Sequence, residues 1–94
     1  MRIVWTDRAL IHIEAIGAYL EERSPAAKAR ILGAIGKGVE RLALHPFSGR
    51  VGRAPRTREL VITRTPYVVA YRLRGEDVEV LAVIHGAQRW PKRL

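Results

Sequence analysis

Residues 58–85 read RELVITRTPYVVAYRLRGEDVEVLAVIH, and the punctuation of this stretch decides the fold. Thr65-Pro66 and Gly75-Glu76-Asp77 are turn material, because proline presets one turn dihedral while glycine and short polar side chains accept the others. They divide the stretch into three strands, 58–64, 67–74 and 78–85. The first alternates between polar and apolar residues, so one of its faces is wet. VVAYRL and VLAVI are nearly continuous apolar runs and belong beneath a covering layer of helices.

Upstream lies that layer. Residues 2–5, RIVW, form a short opening strand. Thr6 then offers a helix N-cap, with Asp7 in the first turn where the helix dipole favours a negative charge. Ala9, Leu10, Ile13, Ile16, Gly17 and Leu20 recur every three or four residues and mark the inward face of a helix over 7–22. Ser24-Pro25 ends it and starts another, serine as cap and proline at the first helical position. This second helix runs to about Leu44, with Ala27, Ile31, Ala34, Ile35, Val39 and Leu42 inward. So short a link makes the two helices an antiparallel hairpin. His45-Pro46 stops the second helix, and FSGRVGRAPRT follows as a loop. The order β-α-α-β-β-β is an α+β domain, residues 1–94, with an N-terminal helical hairpin packed on a small, mostly antiparallel sheet.

Gly33, Gly36 and Gly38 interrupt the second helix. Each costs about 0.8–1 kcal/mol relative to alanine in a helix interior. Either the two helices approach closely there, or the glycines open a groove for a partner.

Ninety-four residues leave room for one core. An apolar share of 48% with 28% charged residues describes a globular chain. No stretch is apolar enough to span a membrane, the N-terminus lacks the run of a secretory signal, and the absence of cysteine suits a reducing compartment. The expected location is cytoplasmic, with no membrane partner.

Seventeen basic residues against nine acidic give a net charge of +8, and fourteen of the seventeen are arginine. Residues 1–24 carry three basic and four acidic side chains, whereas residues 25–64 carry nine and two. Such a patch fits a polyanionic partner, whether nucleic acid, ribosome or acidic protein, or a solvated surface that keeps the chain soluble. Arg50, Arg53, Arg56 and Arg58, together with Arg89 and the tail residues Lys92 and Arg93, are the candidate contact cations. On an alternating strand Arg58 and Arg64 share a face about 20 Å apart, too far to hold one phosphate together.

Catalysis by a metal has no support: His12, His45 and His85 are scattered and the acidic residues do not cluster. Neither a metal nor a cofactor is expected. Metal-free cleavage of RNA would need a general acid, a general base and a cation for the developing phosphorane. His85 suits the first two, with Tyr67 or Tyr71 in support and Arg64 or Arg89 as cation. The same histidine can equally be a strand-end residue bonded to backbone, with Trp90 capping the core.

In order along nearly the whole chain, IVWTDRALIHIEAIGAYL, SPAAKARILGAI, HPFSGRVGR, TRELVITRTPYVVAYRL and VLAVIHGAQRWP resemble the RelE/ParE superfamily, the toxins of bacterial type II toxin–antitoxin modules. The resemblance implies the architecture above and a growth inhibitor neutralised by a cognate antitoxin. RelE-like members cut messenger RNA on the ribosome with basic residues on the middle strands, whereas ParE-like members inhibit DNA gyrase. Here Glu59, Val61 and Val68 stand at the positions those basic residues would fill, so the expectation is ParE-like. The alternatives are a RelE-like endonuclease using His85, Arg64 and Tyr67, and a non-toxic binding module of the same fold. An antitoxin for a +8 surface should be acidic, with apolar anchors docking in the hairpin near Gly33 and Gly36.

Overall fold

Two capping side chains set the helical layer. The Thr6 hydroxyl accepts from the Ala9 amide (3.3 Å) and opens α1 (Asp7–Arg23); the Ser24 hydroxyl accepts from the Ala27 amide (3.2 Å) and opens α2 (Pro25–Arg41). The computed structural model describes residues 1–91 and 93–94. Its strands are β1 (Arg2–Trp5), β2 (Arg50–Val51), β3 (Arg58–Val61), β4 (Tyr67–Arg74) and β5 (Asp77–His85), in the spatial order β1-β5-β4-β3-β2. β1 runs parallel to β5, and the other neighbours are antiparallel. This is the expected α+β architecture, a helical hairpin on one face of a mixed sheet.

Ile16 and Leu20 of α1, with Ile31, Ile35 and Val39 of α2, meet Val69, Val80 and Val83 of the sheet to form the main core. A bulge helps. The register steps from Ala70↔Ala82 to Tyr71↔Val80, leaving Leu81 extra on β5, and this places Val80 and Val83 together in the helix-side core. β1 pairs with β5 only as far as Val80. Beyond it, the Thr6 hydroxyl donates to the Val80 carbonyl (2.7 Å), and His12 Nδ1 accepts from the Val83 amide (3.1 Å). Burial, then the nearby Arg8, pull the His12 pKa below its usual value, which favours the neutral ring that this acceptor role requires.

The opposite face of the sheet is covered too. Ala70, Ala82 and Ile84 lie under Trp90 and Leu94 of the C-terminal tail. β4 and β5 therefore read as continuous apolar runs because the helices cover one face and the tail the other.

Four expectations from the sequence are corrected. The third strand ends at Val61, not Arg64, because Ile62 to Tyr67 close a turn: the Ile62 amide bonds the Tyr67 carbonyl (3.0 Å), and the Thr65 hydroxyl bonds the Ile62 carbonyl (2.9 Å). Arg64 sits in that turn with φ 65°, so it does not share a strand face with Arg58. α2 stops at Arg41, and Leu42 is buried just beyond it. Leu10, expected inward, is half exposed on the flank of α1.

The glycines divide as well. A Cβ at Gly33 or Gly36 would meet nothing within 4 Å, so neither brings the helices together. The close hairpin contact is at Gly17, where a Cβ would lie 3.5 Å from Lys28 Cε and 3.6 Å from Leu32 Cδ1. Gly38 faces the sheet, its Cβ position 2.8 Å from Ile62 Cδ1.

Candidate functional site

The basic segment after α2 is a built loop, not a loose run of cations. Tyr71, fully buried in β4, donates its hydroxyl to the Pro46 carbonyl (2.7 Å) and accepts from the Gly49 amide (3.0 Å). Burial raises its pKa, against the smaller opposing pull of the Gly49 amide, so the phenol stays protonated. Gly49 has no alternative, since a Cβ would stand 2.6 Å from the Tyr71 hydroxyl and 2.9 Å from the Glu59 carbonyl. Arg58 donates to the Gly49 carbonyl (2.8 Å), and its guanidinium lies over the Phe47 ring, 4.9 Å from the centroid.

Glu59 fastens the rest. Its carboxylate is only 3% exposed and sits on the tail side of β3. Arg50 reaches one oxygen at 3.0 Å; the Arg53 amide (2.8 Å) and Nε (3.1 Å) reach the other. Burial alone would raise its pKa, but the Arg53 amide and the two guanidinium groups outweigh that, and the pKa lies below the usual value. Arg53 also stacks on Trp90, 3.7 Å from the ring centroid, which ties the loop to the tail. Of the candidate contact cations, Arg50, Arg53 and Arg58 therefore have partners within the fold. Arg56 and Arg89 are exposed, Arg56 at the tip of the β2–β3 loop. Lys92 lies outside the described residues.

The proposed ribonuclease residues are only partly brought together. Tyr67 and His85 face one another across β4 and β5, their rings edge to face with centroids 5.6 Å apart. They line a hollow of about 470 Å³ with Ile16, Tyr19, Leu20, Ile31 and Gln88. His85 Nδ1 accepts from the Ala87 amide (3.2 Å), which in the neutral ring leaves the proton on Nε2; the Gln88 side-chain oxygen accepts from the His85 amide (3.2 Å). Burial, then Tyr19, raise the Tyr67 pKa, so this phenol stays protonated. Arg64 does not line the hollow; its carbonyl accepts from Arg30 (3.3 Å). Among the described residues no arginine or lysine lines the hollow. Tyr19 and Gln88 were not singled out in the sequence; the only signal for Tyr19 is its place three residues after Ile16 on α1.

A second hollow, of about 200 Å³ and almost wholly apolar, lies between the hairpin and β1. Trp5, Leu10, Ile13, Leu32, Ile35 and Gly36 line it. Gly36 thus opens a groove, whereas Gly33 is exposed outside it. Among the described residues no group of histidine and carboxylate side chains could hold a metal ion, and no helix is long and apolar enough to cross a membrane.

The same architecture occurs in a solved structure titled "Chromosomal ParDE TA system from P. aeruginosa", with a TM-score of 0.79 over 90% of this chain and 95% of that one; at 24% identity the likeness speaks to the fold. The model of the family "ParE toxin of type II toxin-antitoxin system, parDE" matches residues 3–90. "Putative toxin Y4kP" of Sinorhizobium fredii is 50% identical over 93 residues, 99% of this chain and 96% of that protein. "Toxin RelE2" of Caulobacter vibrioides is 34% identical over 87 residues, 93% and 97% of the two chains. Fold and relatives together define the class, a toxin of the RelE/ParE superfamily. Within it, the chain belongs to the ParE toxin family of type II toxin–antitoxin systems.

Proposed function

We propose that this toxin stops growth by binding DNA gyrase, that it cleaves no RNA, and that an acidic antitoxin restrains it. One observation carries the reading: among the described residues, no arginine or lysine lines the hollow where His85 and Tyr67 meet. In-line attack by a 2′-hydroxyl builds charge on a phosphorane, and that charge needs a fixed cation beside the acid and the base. Glu59, Val61 and Val68 add to this, since the middle strands place a clamped carboxylate and two valines where a basic cluster would stand. His85 is then a strand-end residue held by Ala87 and Gln88.

The alternative, messenger RNA cleavage on the ribosome, is favoured by the edge-to-face contact of Tyr67 with exposed His85 and by relatives that bear the name RelE. Pulse-labelling of DNA and protein synthesis minutes after induction without antitoxin separates the two. DNA synthesis falling first, with His85→Ala still toxic, is the expected result. Translation falling first, with His85→Ala weakened by ~10²–10⁴-fold, a typical contribution of general acid–base groups, would reverse the assignment.

For the antitoxin, the apolar groove beside Gly36 is the proposed seat of an apolar anchor. Gly36→Leu should fill the groove and weaken the complex more than it weakens the free toxin. Equal losses in a binding titration and a melting curve would remove the groove from consideration.

A further inference from the structure

Two residues other than glycine take a left-handed backbone among the described residues, and both are arginines: Arg56 (φ 60°) and Arg64 (φ 65°). Glycine adopts this region at less cost than any residue with a Cβ, so local stability does not explain an arginine at either position. Both side chains are exposed, and among the described residues neither guanidinium has a hydrogen-bonding or ionic partner. Arg56 stands just before β3 and Arg64 just after it, in turns that are well tied. The Thr57 amide and hydroxyl both bond the Ala54 carbonyl (3.3 and 2.7 Å), and the Tyr67 amide bonds the Thr65 hydroxyl (3.1 Å). Both cations are therefore presented from a fixed backbone.

Between them runs the outer edge of the sheet. β2 covers only Arg58 and Glu59, and Val61 beyond is 51% exposed. Phe47 and Val51 at the same edge are 67% and 81% exposed. Of the other arginines nearby, Arg50 and Arg53 are committed to Glu59, Arg58 to the loop backbone and Arg30 to the Arg64 carbonyl, while Arg41 lines a shallow hollow beside Val61. A nucleic-acid track would need a run of free cations to displace counterions. A sheet edge that exposes apolar side chains between two such arginines instead has the composition of a protein interface, apolar at the centre and enriched in arginine.

We infer that this edge, with Arg56 and Arg64 as its two anchors, is the surface by which the toxin holds its target, and that the target offers a folded protein face with apolar groups flanked by carboxylates. The inference rests on reading the chain as a toxin that binds its target, and adds the place and the chemistry.

The test uses the full chain with Arg56→Gly and Arg64→Gly combined, and separately Val51→Asp. Both proteins should melt no lower than the wild type, and both should need at least tenfold more protein to inhibit gyrase supercoiling. If the double variant melts lower, Val51→Asp, at an exposed position, decides in its place. Folded variants that inhibit as well as the wild type overturn the inference and leave the gyrase reading intact. A wild type that leaves gyrase untouched overturns that reading instead. Growth inhibition on induction then decides: harmless variants beside a toxic wild type support the edge, and equal toxicity overturns it. Wild-type binding to single-stranded RNA that the same changes abolish would overturn the protein partner.

Discussion

Glu59 shows at the scale of one residue how a buried charge organises a basic loop. Its 3% exposure would favour the neutral acid, yet the Arg53 amide and two guanidinium groups hold it ionised. Removing the charge while keeping the shape, by Glu59→Gln, leaves Arg50 and Arg53 one neutral acceptor oxygen in place of two charged ones and sets an NH2 donor against their own donors. Hydrogen bonds to charged groups contribute about 1.5–3 kcal/mol each, less here because the arginines are half exposed, so a loss of about 2 kcal/mol is expected in urea denaturation at pH 7. The pH dependence has a definite sign. A carboxylate whose folded pKa is depressed stabilises above its unfolded value, near 4.5, and loses that contribution as pH falls through the folded pKa. Wild type and Glu59→Gln should therefore converge in stability as pH drops below about 4.5; a gap unchanged at pH 3 would refute the clamp. His12 acts earlier and in the same direction. Its pKa is also depressed from 6.5, so stability begins to fall below about pH 6.5, where the unfolded chain protonates first. Replacing His12 should flatten that upper part of the profile.

Among the elements, α2 gives the sharpest contrast between equal letters. Gly33, Gly36 and Gly38 look alike in the sequence, yet one faces open solvent, one an apolar groove and one the side chain of Ile62. Gly33→Ala should stabilise the fold by about 0.8–1 kcal/mol through helix propensity alone, raising Tm by roughly 4–8 °C for a domain of this size. Gly49→Ala should do the reverse, costing about 1–3 kcal/mol by overpacking against Tyr71 and the backbone of Glu59. Differential scanning calorimetry of the two variants checks both signs. What the sequence made legible here was local chemistry: the caps Thr6 and Ser24-Pro25, the turn at Gly75, and the inward faces of both helices. What it hid was pairing. A two-residue β2 has no period to detect, the parallel β1–β5 pair joins segments some 75 residues apart, and the end of β3 depends on hydrogen bonds from Thr65 and Tyr67 that no alternation pattern reports.

For the whole molecule, the candidate site was legible by residue type and hidden by arrangement. His85 at a strand end and Tyr67 at a strand start were marked by the turns around them, and their register across β4 and β5 makes them neighbours. That Arg64 turns away, and that Glu59 engages two of the loop arginines, follow from tertiary contacts alone. These contacts also bear on the net charge. Arg50, Arg53, Arg72 and Arg2 are paired within the fold, but pairing does not cancel the surplus of eight positive charges, which sets the long-range field. An acidic antitoxin should be drawn in by that field and then held by apolar burial in the groove at Gly36. Raising ionic strength from about 0.01 to 1 M shortens the screening length from about 30 to 3 Å. The association rate should then fall by roughly 10–10³-fold, while the dissociation rate, governed by the buried contact, changes several-fold less. Stopped-flow mixing of toxin and antitoxin across that salt range measures both rates. If the loss of affinity at high salt appeared mainly in dissociation, charge would be holding the complex together, and the apolar groove would not be its main attachment.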